Sequence, residues 1–477
     1  MVKTLSATHA FTGTALVPQT DITYTNGLIT KVSAGAATTP QANHLIIPAL
    51  VNAHDHARPS MTSFGASGMP LESWILRSVF GTPQDAYLAA AVSLARSARA
   101  GCGGAMIHYT RPSDKLPIVD EVIAIGRAAR DVGIRIAFAL AVRDQNPLVY
   151  GDSADVLSTL SDEDRSTIQD LFIRPSPSAT EYLDRVDAIH AAIAGPMTDV
   201  QYGPAGVQWC SPALLEAIAE RSATTGRRVH MHLLETIYQR QWADRAFPGG
   251  VVRFLKNIGL LSERLTIAHC IHARPDELDM IAEAGATIVT NFSSNLHLHS
   301  GFPPIADAHR RGCRIAVGID GVALDEDDDA IREMRLVQMA HGGLGFERTW
   351  SRGEFLSLAV RNGRRSIGAP GPGALAAGEA ADFVVLDIGQ LDRDAIMPVD
   401  PIDMLFARGN SSCVREVIVD GRTICRDGKL TGVDLDAMEA EIRKMYRASV
   451  PQFKALERAW TPLEGALTHW FRHQGCC

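Results

Sequence analysis

The middle of the chain alternates short apolar runs with longer helical stretches such as AYLAAAVSLARSARAG and PDELDMIAEAG. Short runs of this kind predict buried strands. Eight of them lie between residues 45 and 320: LIIPALVNAH, GAMIHY, IRIAFALA, VQYGPAGV, RRVHMHLLE, LTIAHC, ATIVTNF and RIAVGID. Several of the intervening stretches end in glycine, which commonly terminates helices. Eight strands alternating with helices predict an α/β fold of the (β/α)8 barrel type, with a doubly wound open sheet as the alternative.

The two ends of the chain have a different pattern, which predicts short strands and tight turns. DITYTNGLITKVSA alternates about Asn26-Gly27, a strong hairpin signal, and VREVIVDGRTICRDGKL carries an Asp420-Gly421 turn. We therefore expect a small composite β-sandwich built from both termini. The expected division is 1–48 and 371–430 for the β-sandwich, 49–370 for the barrel, and 431–477 for C-terminal helices. The last residues, HWFRHQGCC, are expected to form a loose tail.

Composition and charge narrow the class of protein. The 477 residues are 46% hydrophobic, which fits a globular protein with a large core. A net charge of −8 argues against nucleic acid as a partner. The eight cysteines form no CxxC pair, and no apolar window approaches the ~18 residues of a spanning helix. We therefore expect a cytoplasmic protein with a small-molecule substrate and no membrane, and a homo-oligomer, as is common for barrels.

Histidines and carboxylates recur at the C-terminal ends of the predicted barrel strands, where barrel enzymes carry their chemistry. His54 and His56 follow the first strand two residues apart, so both side chains point to the same side. Other strand ends offer His230, His232 and Glu235 on strand five, His269 on strand six, and Asp320 on strand eight. A lone histidine of this kind usually packs in the core. Four strand ends together predict a site for a divalent metal.

These motifs in combination resemble the amidohydrolase superfamily, most closely its branch of cytosine, guanine and adenosylhomocysteine deaminases and triazine hydrolases. The resemblance runs over nearly the whole chain. It is carried by NAHDH (52–56), PLESWI (70–75), HLLET (232–236), AHC (268–270), SSNLHLHSGFPPI (293–305) and GIDGVALDEDDD (318–329).

The resemblance implies one divalent metal, expected to be Zn²⁺ with Fe²⁺ or Co²⁺ as alternatives, on four ligands: His54, His56, His232 and Asp320. It implies Glu235 as the general acid/base and His269 as the holder of the metal-bound water or of the reacting group. Asp320 would share the base role, and His230 is the alternative ligand on strand five. No lysine falls within 201–209, the predicted fourth strand, so a metal pair bridged by a carboxylated lysine is not expected.

The chain departs from the branch in the residues expected around the substrate. NLHLHSG replaces the usual NLKLGSG, and arginines stand at three strand ends, where a guanidinium can grip a carboxylate or polarise a carbonyl. Structural roles are the alternative for each residue. The candidate substrate contacts are Arg58, His108, Arg111, Arg143, His297 and His299, and Phe64, Trp74 and Trp209 are candidates for the pocket wall.

The function expected from these features is attack of a metal-activated water on an sp² carbon bonded to nitrogen. Hydrolytic deamination of an N-heterocycle, releasing ammonia, is the first interpretation. Hydrolysis of an amide, urea or (thio)carbamate, releasing an amine or thiol, is the alternative. A catalytically inactive barrel used for assembly is disfavoured, because every ligand position is filled.

Overall fold

The computed structural model describes residues 1–34, 43–58, 65–66, 68–113, 115–321, 328–394 and 396–473. Phe64, the acidic segment 322–327 and the last four residues lie outside the described residues.

The N-terminal strands belong to a mixed sheet: β1 (Lys3–Phe11), β2 (Leu16–Thr25), β3 (Leu28–Ala34) and β4 (His44–Pro48). β2 and β3 form the predicted hairpin, with φ of 50° at Asn26 and 77° at Gly27. The predicted first barrel strand, 45–54, is instead divided between two sheets. β4 ends at Pro48, Ala49 N–H donates to Asp382 O at 3.1 Å, and Leu50 N–H donates to Gly101 O at 3.0 Å. The chain therefore leaves the terminal sheet and enters the barrel at Ala49.

Eight parallel strands follow in spatial order along the chain: β5 (Leu50–Asn52), β6 (Cys102–Tyr109), β7 (Arg135–Val142), β8 (Thr198–Pro204), β9 (Val229–Leu233), β10 (Leu265–His269), β11 (Thr287–Thr290) and β12 (Arg314–Val317). The last strand returns to the first, because Ala53 N–H donates to Val317 O at 3.0 Å and Asp320 N–H donates to His54 O at 2.9 Å. The predicted (β/α)8 barrel is confirmed.

Helices surround the barrel: α1 (Leu71–Arg77), α2 (Ala86–Arg99), α3 (Ile118–Val132), α4 (Ala154–Leu157), α5 (Asp162–Phe172), α6 (Ala179–Ile193), α7 (Pro212–Thr225), α8 (Ile237–Ala246), α9 (Val251–Asn257), α10 (Pro275–Ala284), α11 (Phe292–His297), α12 (Ile305–Arg310), α13 (Ala330–His341) and α14 (Arg352–Ser366). Gly133, Gly226 and Gly285 end α3, α7 and α10 in the left-handed conformation, as the sequence predicts.

The C-terminal strands complete the first sheet. β13 (Gly343–Leu344) and β14 (Glu347–Arg348) form a separate hairpin, followed by β15 (Phe383–Asp387), β16 (Val414–Val419), β17 (Arg422–Arg426) and β18 (Lys429–Leu430), with α15 (Ile388–Leu391) and α16 (Pro401–Arg408) between them. The strand order β18-β17-β16-β15-β4-β1-β2-β3 shows that both termini contribute to one separate β unit, as predicted, and that its strands form a single sheet. The Asp420-Gly421 turn joins β16 to β17.

Two helices close the chain, α17 (Leu435–Ser449) and α18 (Lys454–His473). The prediction of a loose tail is wrong for residues 469–473, which continue α18. Phe471 is buried there, and its ring lies 5.2 Å from Tyr150 and 5.1 Å from Tyr238. Among the described residues no helix is long and apolar enough to cross a membrane. The domain limits at 48, 370 and 430 stay predictions.

Candidate metal centre

Four strand ends bring their polar side chains to one point inside the barrel mouth. Donor atoms of His54, His232, His269 and Asp320 all lie within 4.8 Å of one another, and all four residues are buried. His56 joins them through its Nε2, which is 2.9 Å from Asp320 Oδ1. All five residues that the sequence placed around the metal therefore converge, and His269 lies within the donor cluster itself.

The backbone turns sharply where two of these side chains leave their strands. His269 has φ of 72° and Asp320 has φ of 68°, a left-handed conformation that is uncommon for residues other than glycine. At Asp320 the turn is fixed by Ile319 N–H, which donates to Asn52 Oδ1 at 2.9 Å, and by Asp320 N–H, which donates to His54 O at 2.9 Å. The first and eighth strands are thus tied together directly beneath the cluster.

In each histidine of the cluster, the Nδ1 atom, which faces away from the centre, has a hydrogen-bond partner. The Nδ1–H groups of three rings donate to fixed acceptors: His56 to His108 O at 2.7 Å, His232 to Ala205 O at 2.8 Å and His269 to Asn295 Oδ1 at 2.9 Å. The Nε2 lone pairs therefore point inward, the arrangement that second-shell partners impose on metal-binding histidines. Within the described residues His54 Nε2 and His269 Nε2 have no hydrogen-bond partner, so the cluster fits a metal ion.

The protonation states also suit a metal. Burial lowers the pKa of His54 to about 4, so its ring is neutral at pH 7. For Asp320, burial would raise the pKa, but the neighbouring His54 and His56 rings outweigh burial and hold the pKa well below its usual range. Asp320 Oδ2 also accepts a hydrogen bond from Ser294. Neutral imidazoles and an ionised carboxylate are the forms that bind a divalent cation.

Glu235 stands beside the cluster with a free oxygen. Its Oε2 is 3.6 Å from His269 Nε2, and its Oε1 has no hydrogen-bond partner in the part of the chain that is described. Gln239 Oε1 accepts the Glu235 N–H at 2.8 Å and fixes the turn. Burial, then the charges of Asp320 and Glu72, raise the pKa of Glu235 well above its usual value. A carboxyl of this kind is suited to carry a proton.

A cavity of about 820 Å³, open to solvent, lies over the cluster. Glu235 and Asp320 lie at its base with His56, His232 and His269. Its walls combine apolar and basic side chains: Leu71, Trp74, Ile75, Val142, Trp209, Leu298, Arg58, Arg111 and Arg143. The three arginines predicted to contact substrate therefore all face this cavity.

The other candidate histidines lie elsewhere. His108 is buried behind His56 and its Nε2–H donates to Gly203 O at 3.1 Å, so it does not line the cavity. His297 and His299 are exposed and also absent from the lining, to which Leu298 between them contributes. His230, the alternative ligand, is buried behind His54, with its Nε2 2.7 Å from His54 Nδ1.

Several polar residues that support the cluster carry no role in the sequence analysis. Asn52 Nδ2–H donates to Asp55 Oδ2 at 2.6 Å, and Asp55 Oδ1 accepts the N–H groups of His56 and Ala57. Asn295 orients His269 from α11. These residues lie inside the motifs NAHDH and SSN. Their position between or beside the candidate ligands is the sequence feature that could have indicated a supporting role.

Comparisons with known proteins agree with this geometry. The sequence profile described as "Amidohydrolase family" matches residues 45–424, more than half of the chain. A 5-methylthioadenosine/S-adenosylhomocysteine deaminase from Nitratidesulfovibrio vulgaris is 27% identical over 425 residues, covering 88% of each chain.

Solved structures show the same fold at lower identity. Zinc-bound atrazine chlorohydrolase from Arthrobacter aurescens TC1 superposes with a TM-score of 0.74 at 22% identity, covering 92% of this chain and 98% of that one. A zinc-bound adenosine deaminase from Xanthomonas campestris superposes with a TM-score of 0.77 at 20% identity, covering 94% and 98%. From its profile match, the chain belongs to the amidohydrolase family.

Proposed function

We propose that this amidohydrolase performs the hydrolytic deamination of an N-heterocycle, with one divalent metal, zinc, held by His54, His56, His232 and Asp320. It is a hydrolase acting on carbon–nitrogen bonds other than peptide bonds. The observation that carries the proposal is the buried Glu235 carboxyl, which lies 3.6 Å from His269 at the base of a cavity with indole walls. The names of the relatives, which are deaminases and a chlorohydrolase of heterocycles, support the choice of substrate class.

The bound ion would supply Lewis acidity and lower the pKa of a coordinated water towards neutrality. Glu235 takes the proton of the attacking water and passes it from its carboxyl to the leaving nitrogen. Asp320, ionised beside the histidines, assists in accepting that proton. His269 holds the reacting centre through its inward Nε2, because Asn295 fixes its Nδ1. Trp74 and Trp209 exclude water and pack against a planar ring.

Of the predicted substrate contacts we retain Arg58, Arg111 and Arg143. His108, His297 and His299 are left out because they do not line the cavity. We also propose that the chain is a cytoplasmic homo-oligomer. The six described cysteines are buried and free, which supports a reducing compartment. The β13–β14 hairpin exposes Leu344 and Phe346, at 87% and 107%, which supports an interface there.

Metal content is expected to be one equivalent of zinc per chain, lost when a ligand is removed. His232→Ala deletes an inward Nε2 and should leave well below 0.2 equivalents after dialysis, by elemental analysis. His297→Ala is the matched control, since His297 is exposed and outside the cavity, and it should retain the full equivalent. Two equivalents in the unaltered protein would contradict the single-metal site.

Product analysis separates deamination from the alternative hydrolysis. The zinc-loaded protein is offered 6-aminopurine nucleosides and aminotriazines in one panel, and amides, ureas and (thio)carbamates in another. We expect ammonia, measured by a coupled dehydrogenase assay, in step with loss of the ring amino group. Release of an organic amine or thiol without ammonia would overturn deamination in favour of amide, urea or (thio)carbamate hydrolysis.

A further inference from the structure

Three guanidinium groups line the cavity without an ion-pair partner among the described residues. Arg58, Arg111 and Arg143 all line it, and none forms an ion pair with a described carboxylate. Arg58 Nε and Arg111 Nε are buried without a hydrogen-bond partner in the described chain. Buried charges in proteins are normally paired, because an unpaired ion pays a large desolvation cost. The described residues therefore provide no paired counter-ion for this cluster.

Asp320 and Asp55 are described carboxylates whose charges act on Arg58, but neither forms an ion pair with it. The described acidic residues that line the cavity are Glu235 and Asp320, and both belong to the reaction centre at its base. Burial, and then the charges of Arg58, Arg143 and Arg174, lower the pKa of Arg111 to about 9. Arg111 is still cationic at pH 7 to 8, and a negative charge placed between the arginines would relieve their repulsion.

The three arginines differ in their contacts with the rest of the protein. Arg58 lies over Trp74, with its Cζ 5.2 Å from the ring centroid. Arg111 donates from Nη2 to Ile75 O at 3.0 Å and to Ser78 Oγ at 2.6 Å, which fixes its guanidinium in place. Arg143 is exposed at the mouth, and its guanidinium makes no described hydrogen bond or ion pair. It also lines a neighbouring groove of about 1250 Å³, so it stands where the cavity opens outward.

We infer that the substrate of this site carries an anionic group, a carboxylate, which Arg111 and Arg143 bind at the mouth while the reacting carbon lies over the metal centre. This inference rests on the proposed function and narrows it to acidic derivatives of planar nitrogen compounds. The apolar wall formed by Trp74, Trp209 and Leu298 takes the uncharged body between the two ends. Guanidinium groups suit a carboxylate because their N–H groups donate in pairs to its two oxygens.

The test compares an acid with a neutral analogue of similar size by calorimetry on the zinc-loaded protein. Indole-3-acetate and indole-3-ethanol are the probes, since neither has a bond that the enzyme hydrolyses. The acid is expected to bind about 10-fold or more tightly, the effect of one or two charge-assisted hydrogen bonds. Arg143→Gln should lower the affinity for the acid by about 10-fold and change the affinity for the alcohol by no more than about 2-fold. Arg143→Lys should keep most of the preference.

The controls distinguish the possible failures. Arg253→Gln, an exposed arginine outside the cavity, should change neither affinity. Arg111→Gln is a second variant, and because Arg143 makes no described contact, Arg143→Gln tests the inference even if the Arg111 variant fails to fold. Equal affinity for the two probes would overturn the inference. So would a preference that survives both substitutions and disappears on removal of zinc, since the acid would then bind the metal. Binding is read without turnover, so absence of ammonia release would contradict only the proposed function.

Discussion

Glu235→Gln is expected to lower kcat by about 10³- to 10⁴-fold while leaving bound zinc and folding intact. Glutamine keeps the size of the side chain but cannot accept or deliver a proton, and a positioned acid/base contributes up to about 10⁴-fold. The folded protein already disfavours a charge at this position, because burial and two nearby carboxylates raise the pKa of Glu235. A neutral amide should therefore not destabilise the fold.

Turnover, metal content and thermal unfolding are measured on the same preparation. Glu121→Gln is the matched control: Glu121 is also buried, accepts hydrogen bonds from Tyr109 and Ser113, and is absent from the lining of the cavity. We expect it to keep kcat within a few-fold. If Glu235→Gln also retained near-normal turnover, the proton carrier would have to be another group, with Asp320 the first candidate.

The convergence of these side chains was predictable from the sequence because a parallel barrel brings the ends of all its strands to one rim. His54, His232, His269 and Asp320 lie far apart in the chain, yet each follows an apolar run, and this places them together. Spacing within a motif was also informative: His56 follows His54 by two residues and reaches Asp320. The motif position of His232, three residues before Glu235, favoured it over His230, and a donor atom of His232 lies within the cluster.

Loop positions were less predictable, because a strand pattern does not determine where a side chain points after the strand ends. His297 and His299 lie in α11 and the turn that follows it, and the single residue between them, Leu298, is the one that reaches the cavity. The break at Ala49 was missed for a related reason. An unbroken apolar run, LIIPALV, fits one long strand as well as two short ones in different sheets.

The composite sheet and the barrel are joined by a buried ion cluster that no sequence pattern reveals. Asp382, just before β15, accepts from Arg135 Nε of β7 at 2.9 Å and from Arg364 Nη1 of α14 at 2.7 Å. It also accepts from Asp420 N–H at 2.7 Å. All three charged side chains of the cluster are almost fully buried. The carboxylate therefore neutralises two arginines that come from distant parts of the barrel.

Asp382→Ala is accordingly expected to lower the free energy of unfolding by about 3–5 kcal/mol, since it leaves the buried Arg364 without a counter-charge and leaves Arg135 only the half-exposed Asp420, 3.4 Å away. Chemical denaturation of the metal-free protein, which removes the contribution of zinc, gives the measurement. Asp187→Ala is the matched control. Asp187 also pairs with two arginines, Arg221 and Arg227, but its side chain is 41% exposed, so the expected loss is at most about 1 kcal/mol.

The difference in the free energy of unfolding between wild type and Asp382→Ala should become smaller at acidic pH. Burial would raise the pKa of Asp382, but hydrogen bonds and charges of Arg135 and Arg364 outweigh it and lower the pKa below the usual value. An unfolded aspartate titrates near ~3.9, so the carboxylate's contribution is complete above about pH 5 and is lost as pH falls through the lower folded pKa. The gap between wild type and Asp382→Ala should hold steady from about pH 5 to 8 and narrow below about pH 4. A gap that instead widened on acidification would mean that the aspartate is protonated in the folded protein, and that the sheet and barrel are held together by packing rather than by this charge.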